Sequence, residues 1–341
     1  MLDPILTAYG FTPDCQVIPH GSGLIHHTWK IRCEKRGNFI LQQINQDVFP
    51  APLHTIENIE RVGAWLATHY PATIFPRLEK ALDGNPWVQT ASGSYFRLYP
   101  FIENSITIDV ADTPSQAYEA AKKFGAFTRM LAGFPADSLH QTLPGFHDLT
   151  RRYKDFQLAR EKGNTQRIHK AAALIDYLES QKDIVKRYEA IVTNPAFKRR
   201  VTHHDTKISN VLFDDHGQGI CVIDLDTMMP GYFISDVGDM LRTYLSPVSE
   251  EEKDLDAIEI RESYFQAIEE GYMDEISGEL TTPEKQAFVY AGAFMIYMQA
   301  LRFLTDYLND DIYYGRKYED HNYVRALNQA TLLRRYRDGH R

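Results

Sequence analysis

The stretch from His203 to Thr227, HHDTKISNVLFDDHGQGICVIDLDT, sets three oxygen-bearing side chains at the borders of two apolar runs. Asp205 and Asn210 stand before the first run, and Asp224 ends the second. A polar turn separates the runs, which is the pattern of a β-hairpin. Because a hairpin brings the chain back to its starting point, we expect these three side chains to lie close together.

The three side chains have the chemistry that phosphoryl transfer requires. The amide oxygen of Asn210 and the carboxylate of Asp224 are hard oxygen ligands of the kind that Mg²⁺ accepts, with phosphate oxygens and water completing its octahedron. Asp205, left off the metal, can accept the proton of a hydroxyl that attacks phosphorus. The alternative is that these are solvated turn residues, but the strand signals on both sides favour the site.

The length and the net charge limit the classes of protein to which this chain can belong. At 341 residues the chain exceeds what one hydrophobic core usually serves, so we expect two lobes. The apolar content of 43% and the charged content of 24% are those of an ordinary globular protein. The net charge of −9 argues against nucleic acid or an anionic membrane as a partner, because both require a basic surface.

Cysteine usage and the apolar segments predict a cytoplasmic location. Cys15, Cys33 and Cys221 are odd in number and far apart, so the sequence predicts neither a disulfide framework nor a zinc site. The first residues, MLDPILTAYGFTPD, lack the basic and apolar regions of a signal peptide. The uncharged run at 286–301 is shorter than the ~18 to 20 residues that a bilayer requires, which favours a buried core helix.

Turn signals and periodicity divide the chain near residue 102. The first hundred residues alternate turns with short β-like runs, interrupted by TIENIERVGAWLATHY, whose apolar residues recur at helical spacing. This pattern predicts about five strands and one inserted helix. After Asp109 helical patterns dominate, beginning with TPSQAYEAAKKFGAFTRMLAGF, which has a Thr cap and Pro at the first helical position. Further helices are predicted at residues 146–162, 166–192, 234–245, 250–271, 283–309 and 318–336.

The spacing H-x-D-x-x-x-x-N, followed by I-D, resembles the catalytic core of the protein-kinase-like superfamily. Within it the whole chain is similar to the aminoglycoside/choline phosphotransferase family. The segments FILQQIN, THHDTKISN, VIDLDTMMPG and LRFLTDYLNDDIYY resemble those of its bacterial N-acetylhexosamine 1-kinase group. The resemblance implies an α+β, protein-kinase-like bilobal fold. A small antiparallel β-rich lobe (1–102) with one inserted helix would join a large, mainly helical lobe (103–341) through a hinge at about 99–104.

The resemblance also assigns roles within the opening stretch. Asp205 would be the catalytic base, and Asn210 and Asp224 would hold Mg²⁺. His203 would support the loop, and Lys207 would touch the γ-phosphate of ATP.

Two further aspartates each have two open interpretations. Asp226 would either orient the substrate or cap a turn. Asp236 would either brace the catalytic loop from below or oppose the macrodipole at a helix N-terminus.

The nucleotide side of the expected cleft departs from the kinase pattern. HGSGLIHHTWKI would be the glycine loop, in which Gly21, Ser22 and Gly23 bring backbone N–H groups to the phosphates. The next strand carries Gln42 and Gln43 where kinases have a lysine for the α- and β-phosphates, so this clamp should be weaker. Backbone groups of the hinge would read the adenine edge, at Phe101, Ile102 and Glu103.

The acceptor side lies past the core helix. Arg302 follows the uncharged run, so it would either pair with Asp306 at i,i+4 or present a planar donor to sugar hydroxyls. Tyr313 could pack on the sugar. The resemblance favours ATP, Mg²⁺ and the anomeric hydroxyl of an N-acetylhexosamine. Choline, homoserine or an aminoglycoside as acceptor, and a non-catalytic nucleotide-binding pseudokinase, remain alternatives, and the chain would be a monomer or a homodimer.

Overall fold

The computed structural model describes residues 2–21 and 25–340. The strands of its N-terminal lobe are β1 (Gln16–Pro19), β2 (His27–Cys33), β3 (Gly37–Gln43), β4 (Val88–Gln89) and β5 (Tyr95–Pro100). They form an antiparallel sheet in the order β1-β2-β3-β5-β4. The helix α2 (Pro52–His69) lies between β3 and β4 in the chain. The predicted lobe of about five strands and one inserted helix is therefore confirmed.

A short N-terminal helix, α1 (Asp3–Ala8), covers one face of this sheet. Ile5 of this helix belongs to a buried cluster with Ile31 of β2 and Leu41 of β3. The alternation of buried and exposed residues along β2 and β3 leaves this face apolar, so it requires a cover. The sequence analysis did not predict α1, because six residues are too few to show helical periodicity.

The inserted helix α2 is anchored in the large lobe. Its apolar residues Ile56, Ile59, Val62 and Leu66 recur as predicted, and they join the main core cluster of the large lobe. Asn58 on the same helix is fully buried, and its Nδ2 donates to Met228 O at 3.0 Å and to His140 O at 2.9 Å. The helix therefore links the two lobes, although it is close in sequence to the sheet.

The large lobe is mainly helical. Its helices are α3 (Pro114–Met130), α4 (Leu149–Lys162), α5 (Thr165–Lys170), α6 (Ala172–Ser180), α7 (Asp183–Val192), α8 (Phe233–Tyr244), α9 (Glu262–Ile276), α10 (Thr282–Gln286), α11 (Phe288–Leu308) and α12 (His321–Gly339). In the described part of the chain, α11 alone is long and apolar enough to span a bilayer, and 78% of its most apolar window is buried inside the protein. It is the core helix that the uncharged run predicted, and α8 and α12 pack along it.

The helix predictions were correct in kind but not always in extent. The Thr113 capping box starts α3 as expected. The predicted helix 166–192 is three helices, α5 to α7. The prediction for 250–271 was wrong at its start, because α9 begins at Glu262 and the preceding residues form loop with one 3₁₀ turn, Leu255–Ala257.

Short strands inside the large lobe hold the segment His203–Thr227 in place. The predicted hairpin forms from β8 (Val211–Phe213) and β9 (Gly219–Val222), which pair antiparallel with Val211 opposite Val222. The strand β6 (Ile106–Thr107) adds to its edge. A second ladder pairs β7 (Arg200–Thr202) with β10 (Met229–Gly231). The two ladders bring the segments on either side of the hairpin back together.

The expectation that no disulfide forms was wrong for one pair. The register of β1 and β2 sets Gln16 opposite Arg32, so Cys15 and Cys33 face each other with Cα atoms 4.5 Å apart, and they are joined as a disulfide. Cys221 is free and buried. Sequence separation alone did not reveal the pair, because only the register between the strands brings it together.

Candidate active site

The hairpin gathers the predicted side chains around Asp205. Lys207 Nζ lies 3.1 Å from Asp205 Oδ2, and Asn210 Nδ2 donates to the same oxygen at 3.1 Å and to Asp205 O at 2.8 Å. Ile223 N donates to Asn210 O at 2.9 Å, which brings the following residue, Asp224, beside the loop. The structure therefore places Asp205, Lys207, Asn210 and Asp224 in one cluster.

His203 lies beneath this cluster as a fully buried support. Its Nε2 lies 2.9 Å from Ile223 O, and its Nδ1 accepts from Asp205 N at 3.3 Å. Donation from Nε2–H to the carbonyl leaves Nδ1 as the acceptor, so both contacts fit one tautomer. The imidazole ties the start of the loop to the end of the hairpin and does not contact the cleft.

Asp236, on α8, braces the loop from below. Its carboxylate accepts from His203 N at 3.0 Å and from His204 N at 2.8 Å, and its backbone oxygen accepts from Thr206 Oγ1 at 2.7 Å. Burial raises the pKa of Asp236 to about 6. The structure thus favours the bracing interpretation, because this carboxylate fixes the backbone on which Asp205 stands.

Asp224 and Asn210 form a donor set suited to a divalent cation. Asp224 adopts a left-handed backbone conformation with φ 59°, which is uncommon for a residue with a side chain and is frequent at functional sites. The side-chain hydrogen bonds of Asn210 use Nδ2, so its Oδ1 is left for a ligand. No cluster of three or more His, Cys, Asp or Glu able to hold a metal occurs within residues 2–21 and 25–340. The set fits a cation that phosphate oxygens and water also ligate, as Mg²⁺ prefers.

The acidity of the two aspartates differs because their neighbours differ. Burial raises the pKa of Asp205, but Lys207, His203 and the hydrogen bond from Asn210 together outweigh it, and the pKa lies below its ordinary value. The pKa of Asp224 is raised by its enclosure in the cleft and by the charges of Asp226 and Asp205. A carboxylate close to other carboxylates gains most from a nearby cation, so the surroundings of Asp224 favour a cation more than those of Asp205 do.

Asp226 lies in a buried network that sequence analysis missed. Both of its oxygens accept from Arg97 on β5, and its Oδ2 lies 2.6 Å from His26 Nε2. The side chains of Asp226 and Arg97 are 0% and 1% exposed. Arg97 also donates to Gln42 Oε1, at 3.1 Å from Nε and 2.8 Å from Nη2. The carboxylate is fully used and does not face the cleft, so the expectation that Asp226 orients substrate is corrected.

The Arg97–Asp226 pair stands beside the position of the missing strand lysine. Gln42 occupies that position, and Arg97 on the neighbouring strand supplies a cation there. Burial would lower the pKa of Arg97, but the Asp226 carboxylate outweighs it and raises the pKa above its ordinary value. An arginine inside the apolar run YFRLYP was the available sequence signal, since a buried arginine requires a carboxylate partner.

The helix α2 does not supply a glutamate to this network. Glu57 Oε2 instead lies 2.6 Å from His140 Nε2. Burial raises the pKa of Glu60, which faces Lys80 and Arg77. The usual lysine–glutamate ion pair between strand and helix is therefore replaced by a pair between the sheet and the segment after Asp224.

Part of the expected nucleotide contacts can be placed. Gly21 has φ 78°, a conformation that glycine adopts without strain. Ser22 and Gly23 lie outside the described residues. In the hinge, the N–H of Phe101 already donates to Asn38 O at 2.9 Å, so that donor is not available to adenine. The Lys30 ammonium lies 3.2 Å from the centre of the Phe101 ring.

The remaining hinge residues lie beyond the end of β5. The carbonyl of Ile102 accepts from Ser105 Oγ at 2.6 Å, and the carboxylate of Glu103 accepts from Asn38 Nδ2 at 2.6 Å. Both contacts hold the connection between the lobes in one shape. The contact of Ile102 and Glu103 with adenine stays a prediction.

The acceptor side is a cavity of about 1470 Å³ that contains Asp205. Arg302 and Tyr313 line the same cavity, as the sequence analysis expected. Arg302 does not pair with Asp306, whose carboxylate accepts from the backbone N–H groups of Tyr313 and Tyr314 at 2.7 and 2.9 Å. The guanidinium of Arg302 donates one hydrogen bond, to Gln299 Oε1 at 3.2 Å. The i,i+4 interpretation of Arg302 was therefore wrong, and its guanidinium faces the cavity.

Three solved structures of small-molecule kinases have the same fold as this chain. A microcompartment-associated aminopropanol kinase is similar with a TM-score of 0.70 and 16% identity, and the match covers 98% of this chain and 96% of that one. An amicoumacin kinase solved with AMP-PNP and Ca²⁺ matches with a TM-score of 0.64 and 15% identity over 98% and 92% of the two chains. A choline kinase from Cryptosporidium parvum Iowa II matches with a TM-score of 0.59 and 14% identity over 99% and 96%. These likenesses establish the kinase-like fold.

The family is established by sequence. A model of the phosphotransferase enzyme family, APH, matches residues 16–272, which is well over half of the chain and includes the whole catalytic hairpin. The chain therefore belongs to the APH phosphotransferase enzyme family.

Proposed function

We propose that the protein is an ATP- and Mg²⁺-dependent sugar kinase whose acceptor is the anomeric hydroxyl of an N-acetylhexosamine. The observation that carries the choice of a sugar is the cationic wall of the acceptor cavity. Arg302 and Arg152 line it without a carboxylate partner among the described residues. Unpaired guanidinium groups repel an ammonium and donate readily to hydroxyl and carbonyl oxygens.

The chemistry follows from the cluster at the hairpin. Asp205 accepts the proton of the attacking hydroxyl, and Lys207, 3.1 Å away, keeps this carboxylate deprotonated. A carboxylate of lowered pKa is a weak base, so it suits the anomeric hydroxyl, which is more acidic than an ordinary alcohol. Asn210 and Asp224 would hold Mg²⁺, which when bound neutralises charge on the transferred phosphate.

Other residues of the cluster position these groups. His203 and Asp236 fix the loop backbone, so Asp205 is held before substrate arrives. Arg97 joins the sheet, on which ATP would lie, to the segment that carries Asp224. Arg302 and Tyr313 would orient the sugar. A cytoplasmic location, and a monomer or homodimer, stay predictions.

An amino alcohol is the second candidate acceptor, favoured by the aminopropanol, choline and ethanolamine kinases of the same fold. A panel of N-acetylglucosamine, N-acetylgalactosamine, glucose, choline, homoserine and an aminoglycoside in an ADP-release assay separates the two. Phosphorus NMR of the product then reports which oxygen carries the phosphate.

The matched variant for this panel is Asp205→Asn. We expect it to lower kcat by about a thousandfold or more while ATP still binds, because general-base catalysis typically contributes 10²–10⁴-fold. Turnover of choline or homoserine with no sugar turnover would transfer the assignment to an amino alcohol. Magnesium-dependent ATP binding without turnover of any acceptor would identify a pseudokinase.

A further inference from the structure

The cationic wall of the acceptor cavity continues into a smaller recess between α4 and α11. The recess has a volume of about 380 Å³, and Arg152 of α4 and Arg302 of α11 line both it and the cavity that contains Asp205. Tyr313 also lines both spaces. A ligand that reaches Asp205 can therefore extend one of its substituents to the two arginines.

Within residues 2–21 and 25–340, no carboxylate forms an ion pair with either arginine. Arg152 makes one hydrogen bond, from Nη2 to Phe146 O at 3.4 Å, and its Nε is buried with no partner. Arg302 donates to the neutral Gln299, and its guanidinium carbon lies 5.1 Å from the centre of the Phe146 ring. In contrast, the other arginines of the large cavity that approach the catalytic loop are paired: Arg242 with Asp239 and Glu250, and Arg325 with Glu250.

Two acidic residues line the recess, of which Asp306 is engaged by donors of the protein and Asp155 is half exposed. Asp306 accepts from two backbone N–H groups and from Asn322 Nδ2 at 3.1 Å. Asp155 is 46% exposed and lies 4.0 Å from Arg151. Thr305 Oγ1, also in the wall of the recess, is buried without a partner. Among the described residues, the recess thus presents unsatisfied donors from its arginines, while one of its two carboxylates is fully engaged and the other is half exposed to solvent.

The two guanidinium groups also repel each other. The pKa of Arg152 is lowered by burial and by the charge of Arg302. His147 at the same wall has a pKa well below its ordinary value, because of burial and of the neighbouring charges of His204 and Arg302. Placing two like charges side by side and partly out of water is unfavourable unless a ligand neutralises them.

We propose that the acceptor sugar carries an anionic substituent, and that Arg152 and Arg302 bind it in this recess. A carboxylate, a sulfate and a phosphate share the required chemistry, because each offers oxygens that match the planar fork of a guanidinium. The substituent is distinct from the hydroxyl that Asp205 deprotonates. This inference rests on the proposed sugar kinase function and names the class of sugar.

The test compares neutral and anionic acceptors. The rate constant kcat/KM is measured for N-acetylglucosamine, its 6-sulfate, its 6-phosphate and the corresponding 6-carboxylate. We expect at least one anionic sugar to exceed the neutral parent by about thirtyfold or more, since hydrogen bonds to charged groups contribute more than neutral ones. The preference should weaken as salt screens the charges. Comparison of the three anionic sugars shows whether the recess accepts a sulfate, a phosphate or a carboxylate.

Variants connect the preference to the recess. Arg152→Gln and Arg302→Gln should each reduce the ratio of anionic to neutral kcat/KM about tenfold or more. The ratio is insensitive to a general loss of folded or active enzyme. Arg160→Gln is the matched control, because Arg160 is on the same helix but pairs with Glu179 at 2.9 Å outside the recess. It should leave the ratio unchanged.

The outcomes separate this inference from the proposed function. Turnover of neutral N-acetylhexosamine at or above that of all three anionic sugars would overturn the inference and leave the kinase assignment standing. If no sugar reacts, the sugar kinase assignment fails, and the recess is tested with inorganic sulfate. Saturable stabilisation by sulfate in the wild type but not in Arg152→Gln would retain the anion site for another acceptor, and its absence would overturn that site as well.

Discussion

Replacing Arg97 with methionine tests whether the buried network joins the two lobes. The variant leaves Asp226, which is 0% exposed, without its guanidinium and leaves Gln42 Oε1 without two hydrogen bonds. Breaking a buried ion pair by removing one partner typically costs about 3–5 kcal/mol. We therefore expect the free energy of unfolding to fall by about 4 kcal/mol at neutral pH.

The pH dependence of this loss of stability shows whether the unpaired Asp226 carboxylate causes it. In the wild type the pKa of Asp226 lies below its ordinary value, so its contribution to stability is present above that ordinary value and disappears as the pH falls through the folded-state pKa. In the Arg97→Met variant the buried carboxylate has lost its cation, so its pKa rises. Protonation of Asp226 then relieves the unpaired charge. The deficit should shrink between neutral pH and about pH 5.

Urea unfolding followed by circular dichroism measures both effects. Arg129→Met is the matched control, because the Arg129–Glu275 pair is 41% and 21% exposed, and its loss should cost less than about 1 kcal/mol. The double variant Arg97→Met with Asp226→Asn should be more stable than Arg97→Met alone, since no buried charge remains. The reasoning is refuted if Arg97→Met loses no more free energy of unfolding than Arg129→Met does, or if its loss does not depend on pH.

Three further predictions concern the cleft and the sheet. Lys207→Met should move the acidic side of the pH profile of kcat/KM to higher pH, because the pKa of Asp205 rises when burial is no longer opposed by the lysine. If the acidic side of the profile does not move, Asp205 is not the base. Asp224→Asn should raise the Mg²⁺ concentration that gives the half-maximal rate by about tenfold or more. The control Asp215→Asn, at an exposed position, should leave that concentration unchanged. If both variants need the same Mg²⁺ concentration, Asp224 is not a metal ligand. Chain purified in air and unfolded without reductant should titrate one thiol, Cys221, and a count of three would show that Cys15 and Cys33 are not bonded.

The hairpin and the lobe order could be predicted because both depend on local patterns. Strand signals flanking a polar turn determine where Asp205, Asn210 and Asp224 meet, and these signals are contiguous in the sequence. The Arg97–Asp226 pair joins positions 129 residues apart, and no local pattern reports such a contact. The same reason explains the Cys15–Cys33 pair, since strand register is set by packing of the whole sheet.

Interpretations of single side chains failed where backbone groups competed for them. The i,i+4 spacing of Arg302 and Asp306 favoured an ion pair, but the carboxylate is taken by the N–H groups of Tyr313 and Tyr314 at the turn after α11. A charged side chain near a chain reversal often satisfies that turn instead of its helical neighbour. The free guanidinium that results is the feature on which the acceptor assignment depends.

The position of the Arg97–Asp226 contact restricts how this molecule can open. The sheet is joined to the large lobe through this ion pair, through helix α2 and through the chain near residue 102, so its displacement in any rotation grows with distance from these attachments. Residues beside Asp224 would hardly shift during such a rotation, while β1, three strands away from the strand β5 that carries Arg97, would travel furthest. An opening of the two lobes would then widen the far side of the crevice, while the end beside Asp224 keeps its shape.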